Sequence, residues 1–139
     1  ANSFGRNHNH QFVIESIIYQ MIHGESLIKL GDPEPIRDFI FEEDLLNAYV
    51  LAAESDNKEI LGEAVNITNG ESVSIRDLAE KIRKITGYSG EIQWNSFPKR
   101  ALEIPKLNMD NSKVKRLLKW SPKFSLDEGL KITASYYMK

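Results

Sequence analysis

The sequence predicts an α/β fold in which a small sheet is flanked by helices. Segments with apolar residues every three or four positions alternate with short apolar stretches, and glycine, proline or asparagine separates most of them. Alternation of helical and strand-like segments is typical of α/β proteins. The chain has 139 residues, which we expect to form a single domain over residues 1–139. Only about four strands are predicted, so we expect some of them to form the edge of a larger sheet.

The first half of the chain is predicted to contain two strands between two helices. Residues 12–23 carry apolar side chains at helical spacing, and the glycine that follows predicts the end of this helix. Residues 27–30 form a short apolar stretch, which a Gly-Asp-Pro turn closes. A second strand is predicted at residues 37–41, shortly after Pro35, which cannot take part in regular pairing. The helix at residues 45–52 follows three acidic residues, which stabilise a helix N-terminus.

The middle of the chain is predicted as strand, helix, strand and loop. Residues 64–67 form a compact apolar stretch that an Asn-Gly pair ends, so we predict a strand there. Residues 75–85 carry apolar side chains at helical spacing behind Ser74, whose spacing to an aspartate resembles a capping box. Residues 91–94 are strand-like, whereas residues 97–109 contain two prolines and no regular period, which predicts a long loop.

Two helices are predicted at the C-terminal end. Asp110 can cap a helix over residues 111–118. A Ser-Pro pair then interrupts the chain. Residues 125–137 begin with Ser-Leu-Asp-Glu, a full capping box, and are predicted to form the last helix, within which we place Gly129.

Composition and charge argue against several classes of function. The formal net charge is −2, and nucleic-acid binding would need a dense basic surface, so we expect no nucleic-acid partner. The chain contains no cysteine, which excludes disulfides, thiolate catalysis and cysteine-based zinc sites. Its apolar runs are too short for a membrane span, so we expect no membrane partner and a cytoplasmic location.

The common catalytic motifs are missing from the sequence. No Gly-x-Gly-x-x-Gly motif occurs, so we predict no cofactor-binding residue in this chain. No tyrosine has a lysine four residues later, and neither a Gly-x-Ser-x-Gly nor a His-Glu-x-x-His motif occurs. The stretch His8-Asn9-His10 lacks a third ligand, which predicts a polar loop rather than a metal site. We therefore predict that this chain holds no catalytic residue and no metal.

Arg37 is the strongest candidate for ligand binding. It follows a Gly-Asp-Pro-Glu-Pro-Ile loop at the start of a predicted strand, and the prolines stiffen that loop. A guanidinium presents a planar fork of donors that matches two phosphate oxygens. The alternative is an ion pair with Asp38 or another nearby acid. Arg100 is the second candidate, and the alternative there is a solvated pair of cations with Lys99.

The stretch that begins at Arg37 reads Arg-Asp-Phe-Ile-Phe-Glu-Glu-Asp. It resembles the Arg-Asp-Phe-(Ile/Val)-Tyr-Val-(Asp/Glu)-Asp motif of the extended short-chain dehydrogenase/reductases, which include the NAD-dependent nucleotide-sugar epimerases and 4,6-dehydratases. Residues 2–5, Asn-Ser-Phe-Gly, resemble the family's Asn-x-Tyr-Gly-Pro, with Phe for Tyr and Arg6 for Pro. Residues 65–70 are similar to Asn-Ile-Gly-x-Gly. Residues 100–113 contain matches to Arg-x-x-(Asp/Glu) and Asp-x-Ser-Lys, and residues 118–122, Leu-Lys-Trp-Ser-Pro, resemble the family's Leu-Gly-Trp-x-Pro.

The resemblance covers nearly the whole chain and implies a site for a nucleotide sugar. It implies that Arg37 and Arg100 bind the two phosphates. Two guanidinium groups that converge on one diphosphate would together offset its negative charge. The resemblance also implies that Glu103 accepts hydrogen bonds from the ribose hydroxyls.

The base and the sugar are assigned by the same resemblance. It implies a nucleobase slot at Phe12, Val13 and Leu30, and a hydrogen bond between Asn2 and the substrate. A planar base fits an apolar wall with a few polar groups. Plain core packing is the alternative for Phe12 and Val13, and relatives often carry an aromatic residue at the place of Leu30.

For the whole protein, the resemblance implies the C-terminal, substrate-binding part of a Rossmann-like NAD(P)-binding enzyme. NAD or NADP and the Tyr/Lys pair would come from an N-terminal Rossmann half that this sequence lacks. The isolated chain is therefore predicted to be inactive and to bind no cofactor. The implied partners are a nucleoside-diphosphate sugar, the N-terminal half and, in the full-length enzyme, a second copy in a homodimer. Two alternatives stay open: a stand-alone nucleotide-sugar-binding module without catalysis, and an assembly domain whose apolar face pairs with another chain.

Overall fold

The structure is a computed structural model that describes residues 1–6, 10–24, 26–99 and 101–138. Strands and helices alternate along much of the chain, so the predicted α/β class is confirmed. In chain order, the elements are β1 (Asn2–Phe4), α1 (Val13–Ile22), β2 (Leu27–Lys29), β3 (Ile36–Phe41), α2 (Glu42–Glu54), a 3₁₀ turn (Lys58–Ile60), β4 (Ser72–Ser74), α3 (Ile75–Thr86), β5 (Glu91–Gln93), α4 (Ser112–Leu118) and α5 (Leu126–Tyr137).

The strands form two small sheets. β3 is the central strand of the larger sheet, since it pairs in parallel with β1 and antiparallel with β4. Asn2 of β1 lies opposite Phe39, and Arg37 lies opposite Val73 of β4. The smaller sheet joins β2 and β5 in parallel. β3 therefore connects the first residues of the chain with a segment about seventy residues away.

The main core lies between the helices α1, α3 and α5 and the strands β1, β2 and β3. The three helices pack against one another through the apolar faces that their spacing predicted. Gly129 of α5 permits close contact with the sheet, because a Cβ there would come within 2.8 Å of the Phe4 ring. The largest fully buried apolar side chains of this core are Phe4, Ile14, Ile17, Ile18, Ile28, Leu78, Ile82 and Leu130.

A second core cluster holds α2 and α4 against β3. Trp120, which is fully buried, donates from its indole Nε1 to the carbonyl oxygen of Asp44 at 3.2 Å. The buried carboxylate of Asp44 accepts from the backbone N of Lys123 at 2.8 Å and from that of Phe124 at 3.1 Å. Asp44 thus joins the first turn of α2 to the loop before α5.

The predicted helix caps are present with one shift. Ser74 Oγ accepts from the backbone N of Asp77 at 3.0 Å. Ser125 and Glu128 form the full capping box at the start of α5. α4 begins one residue later than predicted, with Asn111 at the N-cap position, and the Asp110 carboxylate accepts from the backbone N of Ser112 at 3.0 Å.

The predicted strand at residues 64–67 is wrong. These residues lie within the described part of the chain and form no strand, while Val65 and Ile67 pack against the second core cluster. The next residue, Thr68, is buried, and its hydroxyl donates to the carboxylate of Asp38. The strand that pairs with β3 comes later, at β4, and β1 was not predicted either. An apolar stretch of four residues shows only that side chains are buried, because a strand also needs a neighbouring backbone to pair with.

Among the helices of the described residues, none combines the length and the apolarity that crossing a bilayer would require.

Candidate functional site

A cleft of about 900 Å³ opens where the start of α1, the loop after β2 and the first residues of β3 face the loop between β5 and α4. Its size is within the range of ligand-binding clefts. Arg100 lies outside the described residues, as do His8 and Asn9. All of the predicted substrate-binding residues that the structure describes line this cleft, namely Asn2, Phe12, Val13, Leu30, Arg37 and Glu103.

One side of the cleft is formed by residues 97–99 and 101–104, which we call the strap. Pro98 in the strap and Pro105 directly after it disfavour regular pairing, and the described residues of the strap form no strand, as the sequence predicted. The strap is held at both ends by backbone hydrogen bonds. Before it, the N of Ser96 donates to the carbonyl oxygen of Leu30 at 2.9 Å, and after it, the N of Leu107 donates to that of Ile36 at 2.9 Å. The strap is thereby fixed beside both the loop after β2 and the start of β3.

Arg37 lies in the wall of the cleft and is paired with the strap. Its side chain is 15% exposed, and its Nη1 donates to the carbonyl oxygen of Ile36 at 2.7 Å. Its Nη2 forms an ion pair with Oε1 of Glu103. The ion pair that the sequence left open for Arg37 therefore exists, but its partner is Glu103. Asp38 is buried instead and accepts from the hydroxyl of Thr68.

A second ion pair ties the strap to the opposite loop. Lys99 Nζ lies 2.8 Å from Oδ2 of Asp32, whose Oδ1 accepts from the backbone N of Glu34 at 3.1 Å. The hydrogen bond from Lys99 is the main cause that lowers the pKa of Asp32 below its ordinary value, and the same bond raises the pKa of Lys99. Both residues line the cleft. In this cleft, Arg37 is thus paired with Glu103, and Lys99 is paired with Asp32.

The rim of the cleft is apolar. Phe12, Phe97, Leu102 and Ile104 all line the cleft, and each is more than half exposed. Large apolar side chains that stay exposed around one hollow are a common feature of ligand sites. Phe12 is therefore not a core residue.

The other predicted contacts of the base and the sugar differ in their surroundings. Leu30 is buried and belongs to the main core as well as to the cleft. Val13 is half-buried and packs against the same core. Asn2 is exposed on β1 at the edge of the cleft, where its parallel pairing with β3 gives it a defined position.

The cleft also contains charged residues that the sequence did not single out as ligand contacts. Among them are Asp32 and Lys99, described above, and Glu15 of α1. Glu15 is fully buried, and its Oε1 accepts from the backbone N of Gly5 at 3.2 Å. An acid among the buried apolar residues of α1 was a visible signal for Glu15. The pairing of Asp32 with Lys99 had no local signal, because the two are far apart in sequence.

Chemically, the cleft combines one deeply placed guanidinium, a nearby carboxylate and an apolar rim. A guanidinium binds anions, a carboxylate accepts from hydroxyl groups, and exposed aromatic and aliphatic side chains cover a flat ring. These three features fit a ligand with an anionic centre, hydroxyl groups and a planar group.

Comparison with known proteins gives a consistent match along the chain. A family model described as GDP-mannose 4,6 dehydratase matches residues 1–133. GDP-L-fucose synthase 1 of Arabidopsis thaliana is 36% identical over 115 residues, which are 83% of this chain and 34% of that protein. The chain therefore spans about a third of the length of this relative.

Solved structures agree with the sequence match. UDP-glucose 4-epimerase of Thermotoga maritima, solved with UDP-glucose, has a TM-score of 0.88 at 32% identity and covers 99% of this chain and 43% of its own. UDP-glucuronic acid 4-epimerase of Bacillus cereus, in complex with UDP-glucuronic acid and NAD, has a TM-score of 0.85 at 30% identity and covers 98% and 42%. The fold of this chain thus corresponds to less than half of each of these proteins.

Proposed function

The chain belongs to the GDP-mannose 4,6-dehydratase family of NAD-dependent nucleotide-sugar epimerases and dehydratases, which are extended short-chain dehydrogenase/reductases, and we propose that it binds the nucleoside-diphosphate part of a nucleotide sugar. The observation that carries this proposal is the cleft. Residues from β1, α1, the end of β2, β3 and the strap meet there, and they are the residue types that a nucleoside diphosphate needs.

We assign the phosphates to Arg37 and Arg100. The low exposure of Arg37 supports its part, because a guanidinium with little access to water binds an anion more strongly than an exposed one. Glu103 would accept from the ribose hydroxyls, and its position next to Arg37 is consistent with a ribose adjoining the diphosphate.

We assign the base to the apolar part of the cleft at Phe12, Val13 and Leu30. The exposure of Phe12 favours contact with a ligand over core packing. Asn2, at the edge of the cleft, would contact the sugar. In this arrangement the nucleotide acts as a handle that holds the sugar in a fixed orientation, which lowers the entropic cost of the chemical step.

The chemical step itself is proposed to lie outside the 139 residues. The sequence contains neither a Gly-x-Gly-x-x-Gly motif nor a Tyr-x-x-x-Lys pair, and the similar proteins are longer. We propose that an N-terminal Rossmann half supplies NAD or NADP and the proton-transfer pair, and that the whole enzyme is a cytoplasmic homodimer. The surface of α2 supports docking of such a half, because Leu46, Tyr49 and Val50 are more than half exposed along this helix.

Titration of the chain with UDP, GDP, CDP and dTDP by calorimetry tests the proposal. We expect at least one of these nucleotides to bind with one site per chain. If none binds, the assignment of the cleft is wrong. Sedimentation with and without the nucleotide tests the assembly alternative at the same time: a dimer whose formation is independent of nucleotide, together with no calorimetric binding, would favour an assembly domain.

A further inference from the structure

We propose that Glu103 makes the cleft selective for diphosphates that carry a ribose. Its carboxylate stays paired with Arg37 until the hydroxyls of a ribose donate hydrogen bonds to it. This inference rests on the proposed function and adds a role to the same site. It makes Glu103 a competitor of the phosphate as well as a contact of the ribose.

The first step of the argument is the ion pair itself. Arg37 and Glu103 come from β3 and from the strap, and they meet inside the cleft. The side chain of Arg37 is 15% exposed and that of Glu103 is 30% exposed, so water screens this pair less than an ordinary surface pair. Glu103 is the carboxylate that pairs with Arg37 in the described part of the chain.

The second step is competition for one guanidinium. Nη1 of Arg37 already donates to the carbonyl oxygen of Ile36, and Nη2 is engaged by Glu103. A guanidinium carries five N–H donors, of which these acceptors engage two, so a phosphate that binds the fork with two oxygens would lie directly beside the carboxylate on Nη2. Phosphate and carboxylate are both negatively charged, and screening is weak at this position. Their repulsion favours departure of the carboxylate from Arg37 when a diphosphate binds.

The third step is the fate of the displaced carboxylate. A carboxylate accepts hydrogen bonds and donates none, so it gains nothing from the oxygens of a diphosphate. The two hydroxyls of a ribose can both donate to it. A nucleoside diphosphate thus gives Glu103 a new partner, whereas pyrophosphate leaves it with water alone. The difference favours ligands that carry a ribose.

The exchange requires only that the Glu103 side chain, which is 30% exposed, turn from Arg37 toward the ribose. The backbone bonds at Ser96 and Leu107, on either side of the strap, do not involve Glu103. The ion pair of Lys99 with Asp32 provides an internal reference, since it also joins the strap to the cleft but does not involve Arg37. Asp32 and Glu103 carry the same charge and line the same cleft.

The test compares Glu103→Gln with Asp32→Asn in the 139-residue chain, with pyrophosphate and with UDP and GDP as probes in calorimetry. Each variant removes one negative charge from the cleft, but only Glu103→Gln removes the charge that faces Arg37. For Glu103→Gln we expect pyrophosphate to bind about fivefold more tightly and the preference for nucleoside diphosphate over pyrophosphate to fall by about tenfold or more. For Asp32→Asn we expect both affinities to change by the same factor. Glu103→Ala should behave like Glu103→Gln toward pyrophosphate, and circular dichroism confirms that each variant is folded.

Three results would overturn the inference. In the first, the parent chain binds UDP or GDP, but Glu103→Gln binds pyrophosphate no more tightly than the parent chain does. This result would show that Glu103 does not compete with phosphate for Arg37, and it would leave the proposed function intact. In the second, Asp32→Asn loses as much of the preference for nucleoside diphosphate over pyrophosphate as Glu103→Gln does. The effect would then come from the net charge of the cleft and not from Glu103. If the parent chain binds neither UDP nor GDP, the proposed function fails, and this inference fails with it.

Discussion

Replacing Arg37 with alanine should weaken binding of a nucleoside diphosphate while leaving the fold intact. Hydrogen bonds to a charged group contribute about 1.5–3 kcal/mol, which corresponds to a loss of affinity of about 10- to 150-fold. The low exposure of the Arg37 side chain argues against a value below this range, because little solvent screens its charge. The need to displace Glu103 lowers the net gain from the phosphate and argues against a value above it.

The free energy of unfolding should respond much less. Loss of Arg37 leaves a carboxylate at Glu103 whose side chain is 30% exposed, so water can solvate it. We expect a loss of less than about 1 kcal/mol in a urea titration, the scale of a partly exposed ion pair. Arg37→Lys keeps the charge without the planar fork and should fall between the parent chain and Arg37→Ala in nucleotide affinity.

Calorimetric titration with UDP and GDP measures the effect, and Arg116→Ala is the matched control. Arg116 lies on α4, pairs with Glu59 at 3.0 Å and is not among the residues that line the cleft. Its removal changes the net charge by the same amount, so we expect at most a small change in affinity. Unchanged affinity in Arg37→Ala, or equal losses in both variants, would refute the role of Arg37.

Three further predictions concern stability, pH and activity. Asp44→Ala should lower the free energy of unfolding by about 2–4 kcal/mol, because the backbone N–H groups of Lys123 and Phe124 lose their acceptor. Denaturant titration measures this loss. A loss as small as that of Asp56→Ala, a control at an exposed aspartate, would contradict the prediction. The pair with Lys99 lowers the pKa of Asp32, so this carboxylate should titrate below its ordinary pKa of 3.8. The pair should therefore stabilise the fold fully above pH 3.8, and this stabilisation should be lost as the pH falls through the lowered pKa of Asp32. Carbon-detected NMR of the carboxylate checks this, and titration at or above 3.8 would count against the pair. The 139-residue chain incubated with NAD and UDP-glucose or UDP-glucuronic acid should form no product, and turnover in a pure sample would show that the chemistry does not need a second half.

The helices were predicted well because their signals are local. The start of α5 was determined by Ser125 and Glu128 within one turn, and α3 by Ser74 and the apolar spacing behind it. Strands were predicted less well because pairing depends on distant backbone. Residues 64–67 looked as apolar as a strand, yet β3 pairs with β1 and with β4 instead.

The site residues also were predicted where the signal was local and were missed where it depended on distant contacts. Arg37 stood out by its loop and its motif, and a separate match to Arg-x-x-(Asp/Glu) at residues 100–103 led to Glu103. The contact between the two was not predicted, because residues 66 positions apart meet only through the tertiary fold. The ion pair between Lys99 and Asp32 was not predicted for the same reason. Arg100 lies outside the described residues, so its role stays a prediction that rests on the motif.

Nitrogen and methyl NMR spectra of the labelled chain, recorded during titration with UDP and GDP, test the central claim most directly. The claim is that a nucleoside diphosphate binds in the cleft between α1 and the strap. We predict that the largest shifts occur at the Arg37 side chain, at Leu30 and Val13, and in the strap. Shifts confined to the basic residues of α4, such as Lys113 and Lys115, with the Arg37 signal unchanged at saturation, would contradict it.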